Sequence, residues 1–179
     1  MKVSFITPPS LDKFKPAERT AGCTRVVYNM VNIYELTVAA LAEQEGYEVA
    51  YRNFVLEEAS PDQFFSFLEN DDSDVYLLWT VNLSIPTDIQ VERFIHAKRP
   101  ESICIFLGPG ATYFAKSLLG HPASVVVRGE PEDTVRELLR YISEGKDWRT
   151  IVGISFWNEN QVVENAPRPL NYLFLPFIL

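Results

Sequence analysis

Five times along this chain a short apolar run gives way to a segment whose apolar residues recur at helical spacing. That alternation constrains the fold more than any other feature. The runs are Val3–Thr7, Tyr47–Phe54, Val75–Trp79, Ile103–Leu107 and Ala123–Val127. Strands alternating with helices imply a parallel sheet covered on both faces. The predicted helices carry their own punctuation. Tyr28–Glu45, with Ile33, Leu36, Val38, Ala40 and Leu41 as its apolar face, stops at Gly46. Ser60-Pro61 opens a helix bearing Phe64, Phe65 and Leu68 as a cap followed by proline at the first helical position. Pro86–Arg99 ends at Pro100, a short helix covers Thr112–Leu119, and Pro131–Ser143 ends at Gly145. Two further apolar stretches, Ile151–Trp157 and Gln161–Glu164, flank Asn158-Glu159-Asn160 and read as a hairpin or an edge strand. The expected fold is therefore α/β and doubly wound, with a mainly parallel five-stranded sheet plus a C-terminal edge strand or hairpin. Residues 1–148 form the main domain and 149–179 the edge element and a linker. The tail from Asn165 holds three prolines and ends in large apolar residues, as a segment leading into something else would.

The chain has 179 residues and a net charge of −8, from 16 basic and 24 acidic residues. This balance argues against nucleic acid and anionic membranes as partners. Two cysteines, Cys23 in a polar loop and Cys104 within an apolar strand, make neither a disulfide framework nor a metal knuckle. Met1-Lys2-Val3 runs straight into a strand, and no apolar run is long enough to cross a bilayer, so a cytoplasmic protein is expected.

In an open α/β sheet, ligands bind beyond the carboxyl ends of the strands, at the point where strand order reverses. The tips expected there are Thr7-Pro8-Pro9, Thr80-Val81-Asn82 with Ser84, Gly108-Pro109-Gly110-Ala111-Thr112, and Arg128-Gly129-Glu130. Hydroxyls, amides and bare backbone dominate, and no catalytic set or metal site is visible. A dinucleotide fold wants G-x-G-x-x-G after strand one, where this chain has two prolines lacking N–H donors. A phospho-receiver wants magnesium-binding carboxylates where Thr7 and Thr80 stand. A flavodoxin's hydroxyl-rich phosphate loop and a hydrolase's G-x-S-x-G are also lacking. His96, within a helix, and His121, before Pro122, are both expected at the solvated surface, away from these tips.

The stretch "ICIFLGPGATYFAKSLLGHPASVVVRGEPEDTVRELL" resembles the cobalamin-binding domain that precedes the catalytic domain of cobalamin-dependent radical S-adenosylmethionine enzymes. The matching positions are Gly108, Gly110, Ala111, Thr112, Arg128, Gly129, Glu130, Glu132, Thr134, Glu137 and Leu138. Pro8-Pro9 after the opening strand matches the family's usual start. "IYELTVAALAEQEGYEV" looks like its first helix and second strand, and "IVGISFWNENQVVENAPRPLNYLFLPF" looks like the linker before the catalytic barrel.

The resemblance implies a flavodoxin-like fold of the cobalamin-binding type. It implies cobalamin held by Thr7, Pro8, Pro9, Thr80, Val81, Asn82, Ser84, Gly108, Pro109, Gly110, Ala111, Thr112, Arg128, Gly129 and Glu130. Gly108 and Gly110 either let the cofactor approach the backbone or make a tight turn; a ligand-facing Gly110 is the expectation. Thr80, Asn82 and Ser84 either bond the nucleotide tail or cap the next helix. Tyr113 and Phe114 either line the pocket or pack. The D-x-H-x-x-G run that supplies a cobalt-ligating histidine in cobalamin mutases is replaced after strand two by Arg52-Asn53-Phe54-Val55-Leu56. Cobalamin without a protein histidine ligand is therefore implied. Where the family often has Pro-Leu-Gly before the first helix, this chain has Met30-Val31-Asn32-Ile33. The iron–sulfur cluster and S-adenosylmethionine would belong to a catalytic domain absent from these residues, in cis or in trans. The parent would be of the anaerobic magnesium-protoporphyrin monomethyl ester cyclase type or the methyltransferase type. The alternative is a ligand-free doubly wound module used for docking or regulation.

Overall fold

A computed structural model describes residues 1–11 and 31–170. Its centre is a seven-stranded sheet in the order β2-β1-β3-β4-β5-β6-β7. The strands are β1 (Lys2–Thr7), β2 (Glu48–Asn53), β3 (Val75–Trp79), β4 (Ile103–Leu107), β5 (Ser124–Val127), β6 (Ile154–Asn158) and β7 (Gln161–Glu164). The first five pair in parallel, and β6 and β7 close the sheet as an antiparallel hairpin on β5. Order reverses at β1, which lies between β2 and β3. The doubly wound, mainly parallel expectation holds, with both late stretches forming strands.

The helices are α1 (Ile33–Gln44), α2 (Pro61–Asn70), α3 (Ile85–Lys98), α4 (Gly108–Tyr113), α5 (Ala115–Leu118) and α6 (Glu132–Ser143). Side chains alternate across a strand, so each buried strand feeds two cores. Val3, Phe5, Val75, Leu77, Ile105 and Val125 pack on one face with Val38 and Ala42 of α1 and Val135, Leu138 and Leu139 of α6. Ile6, Tyr76, Leu78, Phe106 and Val126 pack on the other with residues of α2, α3 and α5. Burial on both faces explains why the central strands read as unbroken apolar runs. Cys104 is buried in the second core, and burial pushes its thiol up. Cys23 lies outside the described residues. Among the described residues, no helix is long and apolar enough to cross a membrane.

Two helices start where the sequence pattern does not put them. Helix α1 begins at Ile33, capped by the Asn32 side chain, which accepts from the Tyr34 N–H at 3.0 Å. Residues 28–30 of the longer predicted helix lie outside the described residues. Its inward face is Glu35, Val38, Ala39, Leu41 and Ala42, whereas Ile33, Leu36 and Ala40 face out. Helix α4 begins at Gly108 itself, so Gly-Pro-Gly is a helical first turn rather than a loop before a helix at Thr112. Phe114 then separates α4 from α5.

Gly110 makes that early start possible. Its N–H donates to the Thr80 carbonyl at 2.9 Å. A Cβ built on it would lie 2.6 Å from the Val81 carbonyl carbon and 2.9 Å from Thr80 O. The space a side chain would need is filled by the protein's own β3 tip, which gives this glycine a structural reason of its own. Backbone atoms cannot swing aside as a flexible side chain can. Gly110→Ala is expected to cost about 1–3 kcal/mol of stability by overpacking, read as a lowered urea midpoint. Wild-type stability in the variant would mean the β3 tip yields freely.

Candidate functional site

The carboxyl tips of β1 to β5 meet along one edge, and each is fixed differently. At β1, Thr7 Oγ1 donates to Glu35 Oε2 at 2.9 Å, and the Tyr51 hydroxyl donates to the same oxygen at 2.9 Å. Glu35 is fully buried. Burial, above all, pushes Tyr51 up to about 12, so it remains a donor at neutral pH. These contacts tie the first turn of α1 to β1 and β2 and occupy the Thr7 hydroxyl. Pro8 and Pro9 are buried beyond it. After β2, Asn53 Oδ1 accepts from the N–H groups of Val55 and Leu56, each at 3.1 Å, and shapes the turn.

At β3, the Thr80 N–H donates to Leu107 O at 2.7 Å and its carbonyl accepts from Gly110. The side chain is wholly buried, and its hydroxyl has no partner among the described residues. Ser84 serves the turn: its Oγ accepts from the Val81 N–H at 3.0 Å and lies 2.8 Å from Asp88 Oδ2. Asn82 is exposed. Gly108, with φ +89°, lies under the Trp79 ring, 2.8 Å from where a Cβ would sit. Ala111 is buried and Pro109 exposed.

Thr112 joins the β4 and β5 turns. Its hydroxyl donates to Gly108 O at 3.1 Å and accepts from the Gly129 N–H at 3.0 Å. Gly129 and Glu130 are exposed. Arg128 turns the other way, toward the C-terminal segment, where its guanidinium donates to the carbonyls of Ile154, at 3.1 Å, and of Asn165.

The sequence reading missed the character of the rim. Val31, Ile33 and Tyr34 at the start of α1, Leu83 beyond β3, and Tyr113 and Phe114 at the end of α4 are large, apolar and exposed. Tyr113 is 80% exposed and Tyr34 54%. Tyr34 stacks on Trp79 with ring centroids 5.4 Å apart and planes 7° apart. Tyr113 and Phe114 are thus rim residues rather than core. One signal was available: Ile33, Tyr34 and Leu36 fall off the 35–38–39–42 helical face. An exposed apolar cluster beside a few fixed polar groups marks an interaction site. Among the described residues, the polar groups at the tips are bare backbone, hydroxyls, one amide, the Glu130 carboxylate and an orphaned buried hydroxyl. Among the described residues, no group of three His, Cys, Asp or Glu side chains is arranged to hold a metal ion.

Both histidines lie at the opposite, amino end of β5. His96 is buried and stacks on half-buried His121, with ring centroids 3.7 Å apart. Its Nε2 lies 3.0 Å from Ser124 Oγ, which donates to the buried Glu92 Oε1 at 2.6 Å. A cleft of about 410 Å³ between α3 and α5 runs beside them. The expectation of two solvated surface histidines is corrected: helix α3 turns His96 toward β5, and Ser124 gives it a partner.

No family model matches the chain. It is 28% identical over 87 residues to the anaerobic magnesium-protoporphyrin IX monomethyl ester cyclase of Synechocystis sp., covering 48% of this chain and 17% of that protein. It is 23% identical over 177 residues to an uncharacterized methyltransferase of Pyrococcus horikoshii, covering 95% of this chain and 36% of that protein. Its fold is similar to the radical S-adenosylmethionine methyltransferase TsrM of Kitasatospora setae, solved with cobalamin and a [4Fe-4S] cluster. The TM-score is 0.70 at 15% identity, over 95% of this chain and 29% of that one. The cobalamin-dependent S-adenosylmethionine radical enzyme OxsB, solved with aqua-cobalamin and S-adenosylmethionine, gives 0.70 at 15% identity, over 96% and 23%. The chain shares its fold with one part of these cobalamin-dependent radical S-adenosylmethionine enzymes. It spans about a sixth to a third of the length of these proteins.

Burial is the main cause that lowers His96 to about 4, helped by His121 beside it. An unfolded histidine titrates near 6.5. Below pH 6.5 the unfolded chain binds a proton that the folded one refuses, so stability falls as pH drops toward 4. Burial raises Glu92, which works in the opposite sense as it protonates. Glu92 lies 3.7 Å from the His96 ring and responds to its charge, so His96→Gln is compared with its parent in a Glu92→Gln background. The variant is expected to lose the acid-side decline attributable to His96, up to about 3 kcal/mol between pH 7 and pH 4. Urea midpoints at several pH values check this, and parallel pH slopes in the two proteins would contradict it.

Proposed function

We propose that this chain binds cobalamin across the carboxyl edge of its sheet and holds it for a radical S-adenosylmethionine catalytic domain, in cis or in trans. The observation that carries the reading is the set of exposed apolar residues at the carboxyl edge, in a fold shared with cobalamin-dependent enzymes. Residues 1–148 would hold the ligand, and 149–179 would supply the edge hairpin and linker. Asn82, Thr112, Gly129 and Glu130 would offer polar contacts. Tyr34, Leu83, Pro109 and Tyr113 would cover apolar ligand surface and exclude water. Thr80 would offer its buried hydroxyl. Thr7, Pro8, Pro9, Val81, Ser84, Gly108, Gly110, Ala111 and Arg128 would act by shaping the edge on which those groups stand.

Cobalamin, when bound, would supply cobalt-centred radical or group-transfer chemistry to the catalytic domain. This chain's residues bind and orient it and carry out no reaction themselves. The iron–sulfur cluster and S-adenosylmethionine would be held by the catalytic domain. The chain's only two histidines stand at the amino end of β5, which supports cobalamin held without a histidine ligand from this protein. The similarity to a cyclase and to a methyltransferase leaves both parent reactions within the reading. A cytoplasmic setting fits such a cofactor carrier.

Equilibrium dialysis of the folded chain against hydroxocobalamin tests the reading. Retention is expected, with affinity lowered about tenfold, roughly 1.4 kcal/mol, in Tyr113→Ser. The spectrum of bound cobalamin should be the same when both histidines are replaced by glutamine. No retention by a sample that melts cooperatively would overturn the proposal in favour of a ligand-free docking module. A spectral change on losing either histidine would overturn the ligation claim alone.

A further inference from the structure

The four residues after β7, Asn165–Arg168, are anchored by a dense set of hydrogen bonds. Asn165 N–H donates to Ile154 O at 3.0 Å, and Gly153 N–H donates to Ala166 O at 2.7 Å. The Asn165 side-chain amide donates to the carbonyls of Arg149, at 2.8 Å, and Ile151, at 2.6 Å. Arg128 reaches from the β5 tip to the Asn165 carbonyl. Three residues on, Arg168 Nε donates to the buried Thr134 Oγ1 at 2.8 Å, and its guanidinium pairs with Glu137 of α6. Pro167 and Pro169 flank Arg168 and restrict the backbone on both sides.

We propose that Asn165–Arg168 is a docked strap, with Arg128 and Arg168 as positioning residues that fix the course of the chain beyond the β6–β7 hairpin. The strap lies at the carboxyl edge. Val127 at the end of β5 pairs with Ile154 at the start of β6, and Glu164 at the end of β7 pairs with Ser155. The strap lies beside those residues and the first turn of α6. The strap is therefore on the same edge as the candidate ligand site, on its Gly129–Glu130 side. Two arginines anchor the strap: Arg128 Nη2 donates to two backbone carbonyls, and Arg168 donates through Nε to a hydroxyl and through Nη2 to a carboxylate, the kind of fixed multiple contact that Arg suits better than Lys. The inference is independent of which ligand the edge takes.

Spin labels on Lys116→Cys and Leu170→Cys, both exposed positions, in a Cys23→Ser background test it through the distance distribution between them. The labelled parent should give one narrow peak. Arg168→Ala should at least double its width while the thermal midpoint of the domain stays within a few degrees. Glu137→Gln, which leaves Arg168 in place, should broaden it in the same sense and serves if Arg168→Ala folds poorly. A broad distribution in the parent, or a narrow one that neither variant changes, would overturn the proposal. Cobalamin retention by Arg168→Ala, measured in parallel, reports on the ligand reading separately, because Arg168 takes no part in it.

Discussion

The approach of Gly110 to the Thr80–Val81 backbone is the contact on which the carboxyl edge depends. It sets the β4 tip directly against the β3 tip, with the Gly110 N–H on Thr80 O and the Thr80 N–H on Leu107 O. With that spacing fixed, helix α4 can begin at Gly108 with no intervening loop. Thr112 then stands one turn on, where its hydroxyl meets the Gly129 N–H and brings in the β5 tip. Three strand ends are thereby locked in register through backbone atoms and one hydroxyl. Little of this scaffold's polarity is left over to face outward. The edge presents mainly the rim above it: Leu83, Tyr113, Phe114 and, across Trp79, Tyr34.

The strand–helix alternation, the parallel sheet and the late hairpin were legible because each rests on local pattern. Apolar runs of strand length between glycine and proline punctuation leave few other folds. The misreadings share a different cause, which is a partner distant in sequence. Glu35 looks like a solvent-facing helical residue until Thr7 and Tyr51, 28 and 16 residues away, supply hydroxyls to its carboxylate. Its burial rotates α1 so that Ile33 and Leu36 face outward. His96 looks exposed on a helix rich in charge until Ser124, 28 residues on, receives it. Arg128 sits in a motif that suggests ligand contact, but its guanidinium is used 26 and 37 residues downstream.

At the site, the position of the edge was legible and the division of labour within it was not. A doubly wound sheet fixes where a ligand binds, because strand order reverses at one place only. It does not say which tip residues touch the ligand. Several of the small polar residues at the tips, Thr7, Ser84 and Thr112, spend their hydroxyls on turns and helix starts. The exposed surface instead comes from aromatic and aliphatic residues that sequence periodicity would assign to a core. Such residues at helix ends, off the buried face, are the better marker of a binding rim.

That arrangement has a consequence for how the domain works with a neighbour. In the proposed function, a ligand held mostly by apolar contact on one side would keep its other face open, and specificity would come from shape more than from charge. An apolar rim also costs solubility if left bare, so it is best covered by something that stays close. In the proposed function the strap at Asn165–Arg168 would serve that need by geometry, because it lies at the same edge. A partner tethered beyond it would face a short search, with an effective concentration set by where the tether begins as much as by its length. The two arginines would thus link a local set of hydrogen bonds to the range of positions open to such a partner.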